Sequence, residues 1–456
     1  MGRIRLEWDI ESHKIDKLDS EDPQARRTRR RSILRLLLLI GILIGAVIAG
    51  LLLVRQRLLD VQNQVELLLR DTVRAEVAAL RIGDLATFLD IQRSATDDWL
   101  NAQQAAYDDY AAMKVGQDLK LTGSILAVAI EGQRGRVLVE EIINGTPYAK
   151  VWFYWRYADG WHHVPPDYTF WGEERSLESD VLRIRYREVD EIFAQQLHST
   201  ITAWLRQGCD ILICGNLPQM TIDIAADEPQ ALSWSDENAL HLLMQSPYVR
   251  GARADMPFDA QRQLETAEWI AEQLIDAQTR GLDVAYPHDV FQLRQSVLFY
   301  LVEQFAQVNT DATLVESLAS QYGVDKISQL VSLFAPAGDM SIIEQVIPEP
   351  IGQAKLDWRD FITWRLNTEN ELIASRAESE WLKLYDHSEE TVLVAAYERY
   401  DANAPAQPQQ VSEQQIQTAP DGQPQLRVTV RTESENESHE HIVRFNLVNK
   451  VWKRAS

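Results

Sequence analysis

The feature that most restricts how this chain can fold is the run LLLLIGILIGAVIAGLLLV, from Leu36 to Val54, which holds no charge and no strongly polar side chain. As an α-helix these residues span about 28 Å, close to the hydrocarbon thickness of a bilayer. A helix on the flank of a soluble core keeps one polar face, and this one has none. The segment is therefore expected to cross a membrane once. A cleaved signal peptide is the competing reading. The length of the run and the sequence Val54-Arg55-Gln56-Arg57, with no small-x-small cleavage pattern, argue against it.

The flanks set the expected orientation. Arg26, Arg27, Arg29, Arg30, Arg31 and Arg35 precede the run, and only Arg55 and Arg57 follow it before acids appear. Arginine clusters stay on the cytoplasmic side. Residues 1–35 are thus expected to form a cytoplasmic basic tail, residues 36–54 the span, and the bulk of the chain an extracytoplasmic mass on a single-pass cell-membrane protein. The whole chain carries −23, and its first 35 residues carry +3, leaving −26 for the rest. Such an acidic body lacks the basic face that displaces counterions from phosphates, so nucleic acid is excluded as a partner. The bilayer is one expected partner; an extracytoplasmic protein or a cell-wall component is another.

After the span, Val65, Leu68, Leu69, Val73, Val77 and Leu80 recur at helical spacing. Gly83-Asp84 breaks that helix, a second starts near Leu85, and a third covers Asp97–Met113. The period then changes to two. SILAVAIEG, RGRVLVEEII and YAKVWFYWRY read as strands, with turns at Asn144–Pro147 and Ala158–Gly160. Alternation puts Trp152, Tyr154 and Arg156 on one face of the third strand and Phe153, Trp155 and Tyr157 on the other. Nine of the residues from Val151 to Gly172 are aromatic in a chain that is 8% aromatic. Core packing accounts for most such rings. Phe153, Trp155, Tyr157, Trp161 and Trp171 are the candidates for a ligand pocket or an exposed aromatic surface. Cys209 and Cys214 are the only cysteines. They can form a local disulfide if a turn separates them, or remain two buried thiols.

The C-terminal part repeats the design. Two helical stretches and a Pro/Gln-rich segment, Ala402–Gln425, lead into LRVTVRTE and EHIVRFNLVNKVWKRA. FYWRYADGWHH and VRFNLVNKVWKR share an order: apolar strand, tight turn, then Trp followed by basic residues. Both copies resemble the NTF2-like (SnoaL-like) fold, a cone of helices against a curved sheet. Residues 58–172 and 367–456 are the expected units.

Between them, residues 173–366 run strand, helix, strand, strand, then a helical half. That order resembles the peptidase-MA type of gluzincin metalloprotease, as do the YLVEQF, LVSLF and W-R-x-F-I-x-W helices of its tail. The chain as a whole resembles single-pass bacterial membrane proteins that place such a segment between NTF2-like units. The fold class is accordingly α+β, with one transmembrane helix, two cone units and a middle segment of strands and helices.

The resemblance implies a zinc site of the form H-E-x-x-H, with two imidazoles one helical turn apart and a Glu to activate water. The chain has no such motif. The helix in the corresponding place reads Ala267-Glu268-Trp269-Ile270-Ala271, so Glu268 remains while Ala267 and Ala271 stand at the ligand positions. A methyl group has no lone pair to give a metal. His162 and His163 are adjacent on a strand and point to opposite faces. His439 and His441 share a face, a weak metal signal. No phosphate-binding glycine loop, nucleophile elbow or cofactor motif occurs. The expectation is a membrane-anchored, non-catalytic binding or scaffold protein on a degenerate peptidase-like core, with no cofactor and no metal. The alternatives are a hydrolase or peptidase with a non-standard site, and glycan or cell-wall binding through the Trp-rich hairpin.

Overall fold

In the computed structural model the described residues are 23–116, 118–215, 219–235, 238–279, 288–335, 339–388, 390–402, 407–433 and 438–456. The first 22 residues of the expected cytoplasmic tail lie outside them.

One helix, α1 (Pro23–Ile82), has 60 residues. It extends well past Val54. The same helix continues, with polar residues replacing apolar ones on one side, into the body of the protein. Its apolar portion is long and hydrophobic enough to cross a membrane and is not covered by any other described residue. Beyond Gln64 the helix gains a buried stripe, Leu69, Val73, Glu76, Val77 and Leu80, and ends at Gly83, whose φ of +81° reverses the chain.

The helices α2 (Leu85–Ile91) and α3 (Asp97–Gly116) follow, then the strands β1 (Leu119–Glu131), β2 (Arg134–Ile143), β3 (Thr146–Arg156) and β4 (Trp161–His163). All four pair antiparallel in sequence order. Asn144 (φ 52°) and Gly145 (φ 81°) make the β2–β3 turn, the two left-handed residues a two-residue hairpin needs. Gly135 lets β2 approach α1: a Cβ there would lie 2.9 Å from Leu69 Cδ2 and 3.1 Å from Trp161 Cζ3.

The middle of the chain forms a second sheet from β5 (Glu174–Glu178), β6 (Leu182–Arg187), β7 (Met220–Ala225), β8 (Leu232–Ser235) and β9 (Asn238–Gln245), in the order β5-β6-β7-β9-β8. β6, β7 and β9 are parallel, and the edge strands β5 and β8 run antiparallel to them. The helix α4 (Glu191–Leu212) makes the β6–β7 crossover and buries Phe193, Leu197, Ile201, Trp204 and Leu205. A short strand, β10 (Ala252–Arg253), returns to the first sheet beside β3. The helical half holds α5 (Ala260–Gln278), α6 (His288–Ala306), α7 (Thr313–Tyr322), α8 (Asp325–Ser332) and α9 (Ser341–Val346). Cys209 and Cys214 are joined as a disulfide, with Cα atoms 4.8 Å apart, across the end of α4. Ile213 between them is left-handed (φ 54°), the turn that a five-residue bridge requires.

A single helix spans position 367. This helix is α10 (Arg359–Ala374), followed by α11 (Glu378–Leu382), α12 (Glu390–Ala402) and the meander β11 (Gln409–Thr418), β12 (Pro424–Glu433), β13 (Ser438–Val448) and β14 (Val451–Arg454). Asn367 on α10 clasps β11 by exchanging hydrogen bonds with the backbone of Gln409. The Gln-rich stretch is thus an edge strand, with Asn367 meeting its backbone.

A single continuous core runs through the middle sheet, its helices and the inner face of β11–β14, and takes in Val151, Phe153 and Trp171. The first unit has its own core around α1, with Trp152, Tyr154 and Trp161. β3 is therefore buried on both faces, between the helices of the first unit and the middle sheet.

Candidate ligand pocket

The two end units place the same kind of polar centre at corresponding points. In the first, Glu76 of α1 is buried and accepts three hydrogen bonds. They come from Gln92 Nε2 (2.8 Å), Tyr154 Oη (2.6 Å) and His163 Nδ1 (2.6 Å). In the last, Glu369 of α10 is buried and meets Tyr385, Arg399 (3.3 Å) and Arg454 (2.7 Å). Gln92 follows Glu76 by 16 residues, as Tyr385 follows Glu369. Gln92 bridges His163 as Tyr385 bridges Arg454, each by a lone parallel backbone contact. Trp161 and Trp452 occupy equivalent buried positions two residues earlier. One difference separates the centres: a histidine stands in the first unit where an arginine stands in the last. An arginine fixes its charge, whereas an imidazole can donate, accept or take a proton.

The first centre borders a cavity of about 380 Å³. α1 contributes Glu76 and Leu80, α3 contributes Trp99, Gln103 and Tyr110, and the sheet contributes Glu141, Lys150, Trp152 and His163. The register aligns Val137 with Trp152 and Val139 with Lys150, so Glu141, Lys150, Trp152 and Tyr154 share the concave face, and His163 pairs with Tyr154 at its inner end. Tyr168 and Trp171 of the first unit and Val249 of the middle also line the cavity.

His163 is nearly parallel to Trp152 (5.3 Å, 21°) and edge-on to Trp99 (5.4 Å, 69°). Its Nε2 has no hydrogen-bond partner among the described residues. Burial, and then the Glu76 carboxylate, hold the Tyr154 phenol well above its usual range, so it stays a donor. Tyr110 is pushed up to about 12, first by burial and then by Glu141. Burial also raises the Glu141 carboxyl, and Lys150 opposes that rise.

The aromatic candidates divide. Phe153 and Trp171 line the cavity, while Trp155, Tyr157 and Trp161 do not. Trp171 is locked in place by donating from Nε1 to Asp190 (2.8 Å). Trp152, Trp161 and Trp171 are 8%, 4% and 0% exposed, whereas Trp155 (37%) and Tyr157 (36%), at and just beyond the end of β3, reach solvent.

In the pentapeptide 267–271, Ala267 and Ala271 are fully buried against the core and Glu268 is exposed. Partial burial and the neighbouring Glu265 and Glu272 carboxylates raise Glu268. Among the described residues no group of three His, Cys, Asp or Glu side chains is arranged to hold a metal ion. A smaller cavity of about 190 Å³ lies at the start of α5, beside Arg262, Glu265 and Ser246.

No known family matches the chain, and no curated protein or solved structure is significantly similar to it. Glu76, Gln92, Trp99, Glu141, Lys150 and His163 were not singled out from the sequence as site residues. Two signals pointed to them: a lone acid inside the apolar stripe of α1, and a lysine on the same strand face as Trp152 and Tyr154.

Proposed function

We propose that this chain is a membrane-anchored, extracytoplasmic binding protein that holds a small, largely apolar molecule in the cavity of its first unit. The observation that carries the reading is the cavity itself: aromatic walls from Trp99, Trp152 and Trp171, charged groups at Glu76, Asp109, Glu141 and Lys150, and His163, whose Nε2 has no hydrogen-bond partner among the described residues. That is the usual make-up of a small-molecule site. The anchor helix supplies part of the wall. Val54 to Glu76 is one uninterrupted helical stretch of about 33 Å, so the ligand would be held at a fixed height above the bilayer. The Arg26–Arg35 cluster supports a cytoplasmic N-terminus, and the Cys209–Cys214 bridge suits an oxidising compartment.

In this reading the end units are NTF2-like cones and the middle is a peptidase-like scaffold without catalysis. The β6–α4–β7 crossover followed by the α5 helix supports that likeness, and the buried alanines support the loss of the zinc site. The test is equilibrium binding of the neutral fluorophore N-phenyl-1-naphthylamine to the full chain in nanodiscs, with Ala106→Trp at the cavity wall as the blocked reference. Saturable one-to-one binding that the variant loses supports the proposal. Equal signal from both proteins rejects it.

A further inference from the structure

The hydrogen bonds around Glu76 define what the cavity asks of its occupant. Resting on the binding role proposed above, we infer that the ligand is an uncharged aromatic molecule bearing a hydroxyl group, whose O–H donates to His163 Nε2. Gln92 Nε2 is an obligate donor to Glu76, and Tyr154 Oη donates to its other oxygen. His163 Nδ1 lies 2.6 Å from the same carboxylate and must bring it a hydrogen too. In its neutral form the imidazole then carries its proton on Nδ1, and Nε2 presents a lone pair. That lone pair borders the cavity and has no partner among the described residues. An acceptor in such a place calls for a donor.

The charge follows from the same network. An anion at this end would face the Glu76 carboxylate at close range. A cation would find both Glu76 oxygens already engaged by three donors. A neutral hydroxyl suffers neither penalty. The shape follows from the walls: Trp152 lies parallel to His163 and Trp99 meets it edge-on, so a flat ring can slide over Trp152 while its hydroxyl reaches the imidazole. The last unit offers no such site, because Arg454 at the equivalent position has donors only and is paired with Glu369.

The test compares two probes that differ in one O–H, biphenyl-4-ol and 4-methoxybiphenyl, on the full chain in nanodiscs, with Ala106→Trp subtracting lipid partition. Wild type should bind biphenyl-4-ol about 5- to 10-fold more tightly, the range of one neutral hydrogen bond. His163→Phe keeps a ring between Trp99 and Trp152 and removes the acceptor. It should bring the two probes within about 2-fold of each other. If His163→Phe does not fold, wild type alone decides through the probe ratio. Equal affinity of wild type for both probes overturns the hydroxyl inference and leaves the binding role standing. Failure of both probes and of N-phenyl-1-naphthylamine removes the binding role with it.

Discussion

Asp190 gives the most exacting test of the junction between the first unit and the middle sheet. It is fully buried, accepts from Trp171 Nε1 (2.8 Å) and from the Ser246 hydroxyl, and stands at the N-terminus of α4. Burial raises its carboxyl from the usual 3.8 to about 7, against the opposing pull of its two hydrogen bonds and of Arg136. The folded state therefore holds this proton more tightly than the unfolded chain does. Stability is greatest below the unfolded value, falls as pH rises toward about 7, and is flat above it. At 1.36 kcal/mol per pH unit, ionisation at pH 8 costs the native state on the order of 4 kcal/mol, roughly 3 of it lost between pH 5 and pH 8. Asp190→Asn removes the ionisation and keeps both contacts, since the Ser246 hydroxyl can turn to accept from the amide. Denaturant unfolding of the full chain in nanodiscs should show the variant more stable than wild type at pH 8, by about 4 kcal/mol, and by only about 1–2 kcal/mol at pH 5. A variant equally destabilised at both pH values would refute the reasoning, because the carboxylate would then be stabilising in its charged form.

Other outcomes follow from the same structure. Glu76→Ala strands three buried donors and should cost about 3–5 kcal/mol in a denaturation midpoint, against much less for Glu76→Gln. Gly208→Ala puts a methyl 2.5 Å from Leu274 Cδ1 and 2.9 Å from Phe305 Cζ. Its overpacking penalty of about 1–3 kcal/mol should exceed the helix-propensity gain of about 1, so thermal unfolding moves down. Ala267→His and Ala271→His together should not confer zinc binding by metal analysis, because both positions face the core, and should lower folded yield.

Much of the fold was legible in the sequence. The apolar run, the switch from helical to alternating period after Met113, and the two aromatic hairpins each gave an element because local pattern dictates local structure. The apolar run did not show that α1 is one helix from Pro23 to Ile82, because Arg55 and Arg57 change its polarity, not its backbone. The Gln-rich strand β11 carries few apolar residues, and its pairing with β12 and its clasp to Asn367 of α10 are distant in sequence. Alternation correctly divided the faces of β3, yet could not tell that both would be covered, since Trp171 and the middle sheet arrive later in the chain. The polar centre was least legible. Glu76, Gln92 and His163 are separated by 16 and 71 positions, and only tertiary packing brings them together. Adjacent His162 and His163 drew notice as a pair, whereas His163 acts with Glu76.

The central claim is that a small molecule sits between α3 and β3 of the first unit, against His163. Photolabelling of the full chain in nanodiscs with 4-hydroxybenzophenone, followed by peptide mapping, tests it most directly. Labels concentrated between Trp99 and Met113 and between Lys150 and Trp171, and suppressed in Ala106→Trp, are the predicted result. Labels confined to residues 36–68 of the anchor helix, with the cavity peptides untouched, would contradict it.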